Sequence, residues 1–402
     1  MGANEHRRID YLDTAKGLGI IMVCVGHACT NQSSVMNCKL ADVIRFVTLF
    51  HMALFFFING MLYNSKYSER PVWGIFHKVK SYYIPFVMYN VLFWLLHNLF
   101  ARLHLISGSL DPKDYAYAGI KAYLVSFVKT LLGFRQRFAG AMWFLEALIV
   151  ISVVFVVVDH LATKVAPRKR YRVLLIIVVS IVLLNRLLDF SSIPGIPSSL
   201  TQMVYWGLNG LLFFYLGYIY KSFQWNEKLH RYKVFLIWGC LFLLVIAVIL
   251  MKPRVISVIT NASIPVYRYG LKVICGGSGI SGLPLMQYLL YAVVCACGII
   301  MTILFSQIGR VRDCKVLKLF GRYSLHIMCL QFLAFKSISL LIIWIYRLPI
   351  ERLAEYPVVQ GIDGLWWIAY AVSGCVLPVL VVKLFEKLKT KVVSIYKRSR
   401  TS

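Results

Sequence analysis

Asp13, Lys16 and His27 stand at helical spacing in the stretch LDTAKGLGIIMVCVGHA. An ionisable group inside such an apolar run costs roughly 3 kcal/mol unless it finds a partner or lines a functional cavity. Lys16 and His27 are separated by close to three full helical turns, so both side chains point the same way, with the imidazole about 17 Å further along the axis. A base held at that depth can take a proton from a hydroxyl, or carry a transferred group as a nucleophile. The plainer reading is an imidazole that satisfies an interhelical hydrogen bond. Gly17, Gly19 and Gly26 on the same helix leave room for a neighbouring helix or a ligand.

Four further stretches carry polar groups in apolar surroundings. FHMALFFFINGMLY sets His51 at one end of a dense aromatic face and Asn59 further in; the alternatives are ligand contacts or an interface residue and an interhelical hydrogen bond. GAMWFLEALIV carries Trp143 and Glu146, and a buried carboxylate needs a cation or a proton, which a purely structural ion pair would also supply. FHKVKSYYIPF places Lys78 and Lys80 ahead of two tyrosines and Pro85. Those lysines fit an anion site for a phosphate-bearing cosubstrate, and also simple retention of positive charge at a membrane face. Arg135 and Arg137 precede the Trp143 helix in a loop expected on the other face, where an anionic lipid or a sugar would be held.

The elements that position these residues follow from composition. Of 402 residues, 59% are hydrophobic and 15% charged, and the mean hydropathy is +0.72, which excludes an ordinary soluble domain. Runs such as Val173 to Leu188 and Val234 to Met251 approach the roughly 20 residues that cross a hydrocarbon core, and are too uniformly apolar for barrel strands. The reading is an all-α, polytopic transmembrane bundle, one domain over 1–402. Its ten spans fall at Gly17 to Thr30, Val43 to Tyr63, Ser81 to Ala101, Gly140 to Val158, Arg172 to Asp189, Met203 to Tyr220, Val234 to Met251, Leu283 to Ser306, Tyr323 to Tyr346 and Gly364 to Phe385. Between the third and fourth, Gly119 to Gly133 has Ile120, Leu124, Phe127, Val128, Leu131 and Leu132 opposite Lys121 and Lys129, the pattern of a helix lying in the interface.

The segments on the side of the termini carry 26 Lys and Arg, against 13 on the other side. Positive charge is retained in the cytoplasm, so both termini are expected there. This layout also accounts for the net charge of +28: basic loops meet an anionic leaflet, and the tail 386–402 lies against lipid. Nucleic acid is not an expected partner, because no element carries a basic stripe with interleaved aromatics. No cleavable signal, internal repeat or metal-ligand spacing is present, although Cys29 and Cys38 could pair on the outer face.

RRIDYLDTAKGLGIIMVCVGH (Arg7 to His27), FHMALFFFINGMLY (Phe50 to Tyr63) and MWFLEALIV (Met142 to Val150) together resemble the acyltransferase 3 family of bacterial membrane acyltransferases, and more closely its fucose 4-O-acetylase-like branch. The resemblance implies an enzyme of the bacterial inner membrane that moves an acyl group, usually acetyl from acetyl-CoA, to a hydroxyl of a surface polysaccharide or lipid-linked sugar. Nothing beyond that cosubstrate is expected to bind as a cofactor, and no metal. It assigns catalysis to His27, with Lys16 at the matched basic position; with the residue reading above, Asp13 joins these two, the acyl-CoA is expected at Lys78, Lys80 and Arg8, and the acceptor at His51, Asn59, Trp143, Glu146, Arg135 and Arg137. The chain departs from the family pattern at three points. Asn59 stands where Ser is frequent, Lys78 and Lys80 where an arginine pair is frequent, and Glu146 where Pro is common. The main rival is a transporter or flippase with His27 as proton relay, which no inverted repeat supports. A lipid-linked sugar polymerase or glycosyltransferase is disfavoured, because no large outer loop carries an acidic cluster.

Overall fold

The computed structural model describes residues 10–29, 39–187, 198–250, 284–362 and 364–398. Arg8, Cys38 and the expected loop 252–282 lie outside them. All regular structure among the described residues is helical. The principal helices are α1 (Asp10–Cys29), α2 (Lys39–Met61), α3 (Pro71–Arg102), α4 (Gly119–Leu131), α5 (Trp143–Val165), α6 (Arg170–Leu187), α7 (Ser198–Ser222), α8 (Lys233–Leu250), α9 (Pro284–Phe305), α10 (Lys315–Arg322), α11 (Ser324–Tyr346) and α12 (Trp366–Arg398).

Among the described residues, five helical segments are long and apolar enough to cross a membrane: Tyr11–Cys29, Pro71–Arg102, Arg137–Val165, Ser324–Tyr346 and Trp366–Ser394. Three more are apolar but shorter, at Phe46–Met61, Lys233–Ile249 and Tyr291–Phe305. The remaining two expected spans are helices as well, α6 and α7, but Arg172, Asn185 and Arg186 interrupt the first and Thr201, Gln202 and Asn209 the second.

The distribution of side chains is that of a protein whose solvent is lipid. Phe76, Ile84 and Met88 on α3, Phe235, Trp238 and Phe242 on α8, and Leu340 and Trp344 on α11 are exposed. Asn90, Asn209, Gln331 and Lys336 are buried inside. Exposed apolar faces cost nothing against acyl chains, whereas backbone and side-chain polar groups must find partners within the bundle.

Charge does not mark the helix ends. α3 begins at Pro71, a residue pre-shaped for the first helical turn. It then runs unbroken through Lys78 and Lys80, so the expected start at Ser81 is ten residues late. α12 likewise continues past Phe385 to Arg398, about 50 Å in all. α4 forms where the periodicity places it, with Ile120, Leu124 and Val128 turned outward. Trp94 of α3 pins it: the indole N–H donates to the Tyr123 carbonyl at 3.2 Å, and the ring meets Tyr123 and Phe127 at 4.8 and 4.7 Å.

α1 is the hub, packing against α2, α10, α11 and α12. At its crossing with α10 the backbones touch through Gly17 and Gly321: a Cβ on either would strike the carbonyl of Leu317 or of Asp13. The α2–α7 crossing uses the same device at Gly60 and Gly217, facing the carbonyls of Phe214 and Phe57. Backbone proximity of this kind replaces the hydrophobic drive that lipid cannot supply.

Candidate active site

One face of α1 presents Lys16, Ile20, Val23 and His27, at steps of four, three and four, to a cavity of about 240 Å³. That spacing keeps the four side chains in one stripe. Met52, Phe55 and Asn59 of α2, Ser81 and Tyr82 of α3, and Ser324, Leu325 and Met328 of α11 form three other walls. The fifth is made by Ala141 and by Trp143, Phe144, Leu145 and Leu148 at the start of α5. Polar groups gather toward the Lys16 end, where Asn59, Ser81, Tyr82 and Ser324 lie. The middle is apolar, and His27 and Trp143 mark the far end.

His27 is half-buried, its ring edge-on to Phe332 of α11 at 4.8 Å. His51 on α2 is buried and within electrostatic reach of His27. It does not line the cavity, and its Nδ1 has no hydrogen-bond partner among the described residues. Asn59 is committed to the wall: its Nδ2 donates to the Phe55 carbonyl at 2.8 Å, and Tyr82 Oη donates to its Oδ1 at 3.2 Å.

Asp13 lies below the Lys16 end, about 21 Å along the helix from His27. Its carboxylate is 3.4 Å from Arg322 Nε of α10, and the neighbouring Thr14 hydroxyl donates to the Arg312 carbonyl at 3.2 Å. Asp13 therefore fastens α10 across the foot of α1 and makes no approach to the imidazole.

Lys78 and Lys80 do not form one cradle. Two positions apart on a helix, they point roughly 200° away from each other. Lys78 is buried, its Nζ 4.8 Å from the Tyr67 ring centroid, while Lys80 is exposed near Phe76. Lys78 shares the face of Ser81 and Tyr82, one turn nearer the helix start, but neither lysine lines the cavity.

At the His27 end both loop arginines, expected to hold an anionic lipid or a sugar, are paired with carboxylates. Arg135 Nε is 3.6 Å from Glu146 Oε2, and its guanidinium lies over Trp206 at 5.6 Å, which in turn packs on Trp143 at 4.8 Å. Arg137 donates to Asp111 at 2.8 Å, sits 3.3 Å from Asp114, and covers the Tyr356 ring at 4.5 Å. Burial pushes the Asp114 carboxyl up from its ordinary value, and Arg137 opposes that shift.

α11 was missed as a source of site residues. It supplies Ser324 and Met328 to the cavity and Phe332 to His27, and it buries Lys336, whose ammonium donates to the carbonyls of Leu353 at 2.7 Å and Glu355 at 2.6 Å. The signal was present: a lysine within an apolar span is subject to the same cost that singled out Lys16.

A helical membrane protein with an internal cavity, an ammonium at one end and an imidazole at the other, has the parts of a membrane-embedded transferase. A family model described as an acyltransferase domain matches residues 9–385, and the chain belongs to this acyltransferase 3 family. No curated protein and no solved structure matches it.

Proposed function

We propose that this acyltransferase takes an acetyl group from cytoplasmic acetyl-CoA and places it on a hydroxyl of a surface polysaccharide or of its lipid-linked precursor, in the manner of the fucose 4-O-acetylase-like branch. The observation that carries the reading is the single cavity lined by both Lys16 and His27. In this reading the ten longer helices other than α4 and α10 cross the bacterial inner membrane, both termini are cytoplasmic, and the apolar face of α4 rests in the outer interface.

The grouping of segments supports that orientation. Tyr63 donates to Asp159 at 3.3 Å, Arg170 meets Asp159 at 2.7 Å, and Lys221 donates to the Tyr63 carbonyl at 3.4 Å. Three basic connections are thus tied together at one end. Arg137, Asp111 and Tyr356 are gathered at the other.

Coenzyme A is a polyanion, so its phosphates stay at the cytoplasmic rim, where Lys16, Lys78 and Arg8 would attract them as charges. The thioester then reaches inward through the apolar middle. The unprotonated nitrogen of His27 takes the proton of the acceptor hydroxyl, and the oxygen attacks the thioester carbonyl. The carbon–sulfur bond breaks, and the departing thiolate takes the proton from the imidazolium. A two-stage route, with the acetyl group resting on the imidazole between donor and acceptor, uses the same atoms. Asp13 and Arg322 position the entrance and do not touch the reacting groups.

The test is to supply purified full-length protein in detergent with radiolabelled acetyl-CoA and candidate glycans. We expect label on the glycan as an alkali-labile ester, and none with a His27→Ala variant that elutes and melts like the parent. Equal transfer by that variant removes His27 from the mechanism. Label trapped on the protein in the absence of acceptor selects the two-stage route.

A further inference from the structure

A second cavity, of about 440 Å³, opens at the His27 end between the segment that follows α3 and the segment that follows α11. Ser107, Ser109, Asp114 and Tyr115 face Glu351 and Arg352 across it. Both walls are anchored. Asn98 of α3 accepts from the Tyr117 amide at 2.8 Å, and the Tyr117 ring stacks on His97 at 4.1 Å. On the other side Lys336 grips the carbonyls of Leu353 and Glu355.

The charge of this cavity runs against that of the molecule. In a chain of net charge +28, the two guanidinium groups at this cavity are already committed. Arg352 is bound by Glu355 at 2.6 Å and by the Gln360 carbonyl at 2.6 Å, and Arg137 behind the wall is bound by Asp111 and Asp114. Glu351 is exposed and forms no ion pair among the described residues.

We propose that this cavity binds a neutral sugar unit of the acyl acceptor and discriminates against sugars that carry a carboxylate or phosphate. Sugar hydroxyls donate and accept at once, and the lining offers both: carboxylate and serine oxygens to accept, guanidinium and hydroxyl groups to donate. Tyr115, 63% exposed, supplies the flat face on which a pyranose ring rests. An anionic sugar would bring its charge to Glu351, with both neighbouring guanidinium groups already held by carboxylates. A chain of packed side chains joins the cavity to the imidazole. Arg137 covers Tyr356, Tyr356 lies 4.9 Å from Phe332, and Phe332 lies 4.8 Å from His27. The Arg137 guanidinium and two aromatic rings thus stand between this cavity and His27, and they must part for a hydroxyl to reach it. The inference rests on the acyl-transfer reading for the word acceptor, though not for binding itself.

The experiment therefore measures binding without acyl-CoA. Full-length protein in detergent is titrated with methyl glycosides of glucose, galactose, mannose and N-acetylglucosamine, and with methyl glucuronide and glucose 6-phosphate, read by saturation-transfer NMR. At least one neutral glycoside is expected to bind, with both acids weaker by about tenfold or more. Tyr115→Ala should weaken the neutral ligand about fivefold, and Glu351→Gln should close most of the gap to the acids. Absence of binding by every neutral glycoside, equal binding of the acids, or indifference to Tyr115→Ala overturns the proposal. A polyprenyl-phosphate-linked neutral sugar serves as second probe: binding about tenfold tighter than its glycoside marks the precursor as the source, and equal binding the finished glycan. Sugar binding without any acetyl transfer would sink the enzymatic reading and leave this cavity's assignment standing. Transfer whose acceptor KM ignores Tyr115→Ala would do the reverse.

Discussion

The two cavities are built on different principles. The inner one, about 240 Å³, is walled by helices, two of which, α1 and α2, contribute residues at steps of three and four. The outer one, about 440 Å³, is walled by connecting segments in which Asp114, Arg352 and Glu355 are held in ion pairs while Tyr115 and Glu351 stand exposed. A helix-built cavity inherits the register of its helices, so its lining is fixed once they pack. A cavity between connecting segments has no register, and depends on contacts between distant positions. The first suits chemistry that must not vary, and the second suits recognition that can.

Phe332 marks the boundary between the two, and removing it is the most severe test of their separateness. Phe332→Ala should cost about 3–4 kcal/mol of stability, as large-to-small changes at buried aromatics do, read from thermal unfolding in detergent. It should also raise acetyl-CoA hydrolysis in the absence of acceptor, read by thiol release, because water gains the imidazole. Destabilisation without added hydrolysis would mean that other groups keep the cavities apart. Lys16→Gln, at the opposite end, should raise KM for acetyl-CoA about tenfold, or about 1.4 kcal/mol, with kcat nearly unchanged. A fall in kcat alone would place Lys16 in the chemical step. Tyr82→Phe deletes one hydrogen bond to Asn59 and should cost about 1 kcal/mol, with the acceptor KM unmoved because that bond belongs to the inner wall. Lys80→Ala should stay within about 0.5 kcal/mol in stability and show parental KM for acetyl-CoA, since its side chain lies on an exposed face of α3. A tenfold rise there would restore the paired-lysine anion site.

The same contrast explains what the amino-acid sequence disclosed. The Lys16–His27 stripe was legible because eleven residues is a near-integral number of turns, and nothing but helix geometry is needed to bring the two to one wall. Helix existence was legible from run length, including α4, but the start of α3 was not, because Lys78 and Lys80 read as a boundary and the helix passes through them. Partners separated in the chain were hidden: Asp13 meets Arg322 across 309 positions, and Phe332 and Tyr356 reach the site from elements whose position relative to α1 is set only by packing. Glu146 was legible as a carboxylate in need of a cation, and Arg135 supplies one, whereas the partners of Arg137 could not be read, since Asp111 and Asp114 look like ordinary loop residues until the chain folds back.

Lys336 holds its neighbouring segment by main-chain oxygens, those of Leu353 and Glu355, and every amino acid carries such an oxygen. The grip is therefore indifferent to which side chains the segment displays. An exposed position of this ribbon such as Glu351 can therefore change while the ammonium goes on clamping the backbone in place, so a change of recognised partner there would require no redesign of the scaffold beneath it.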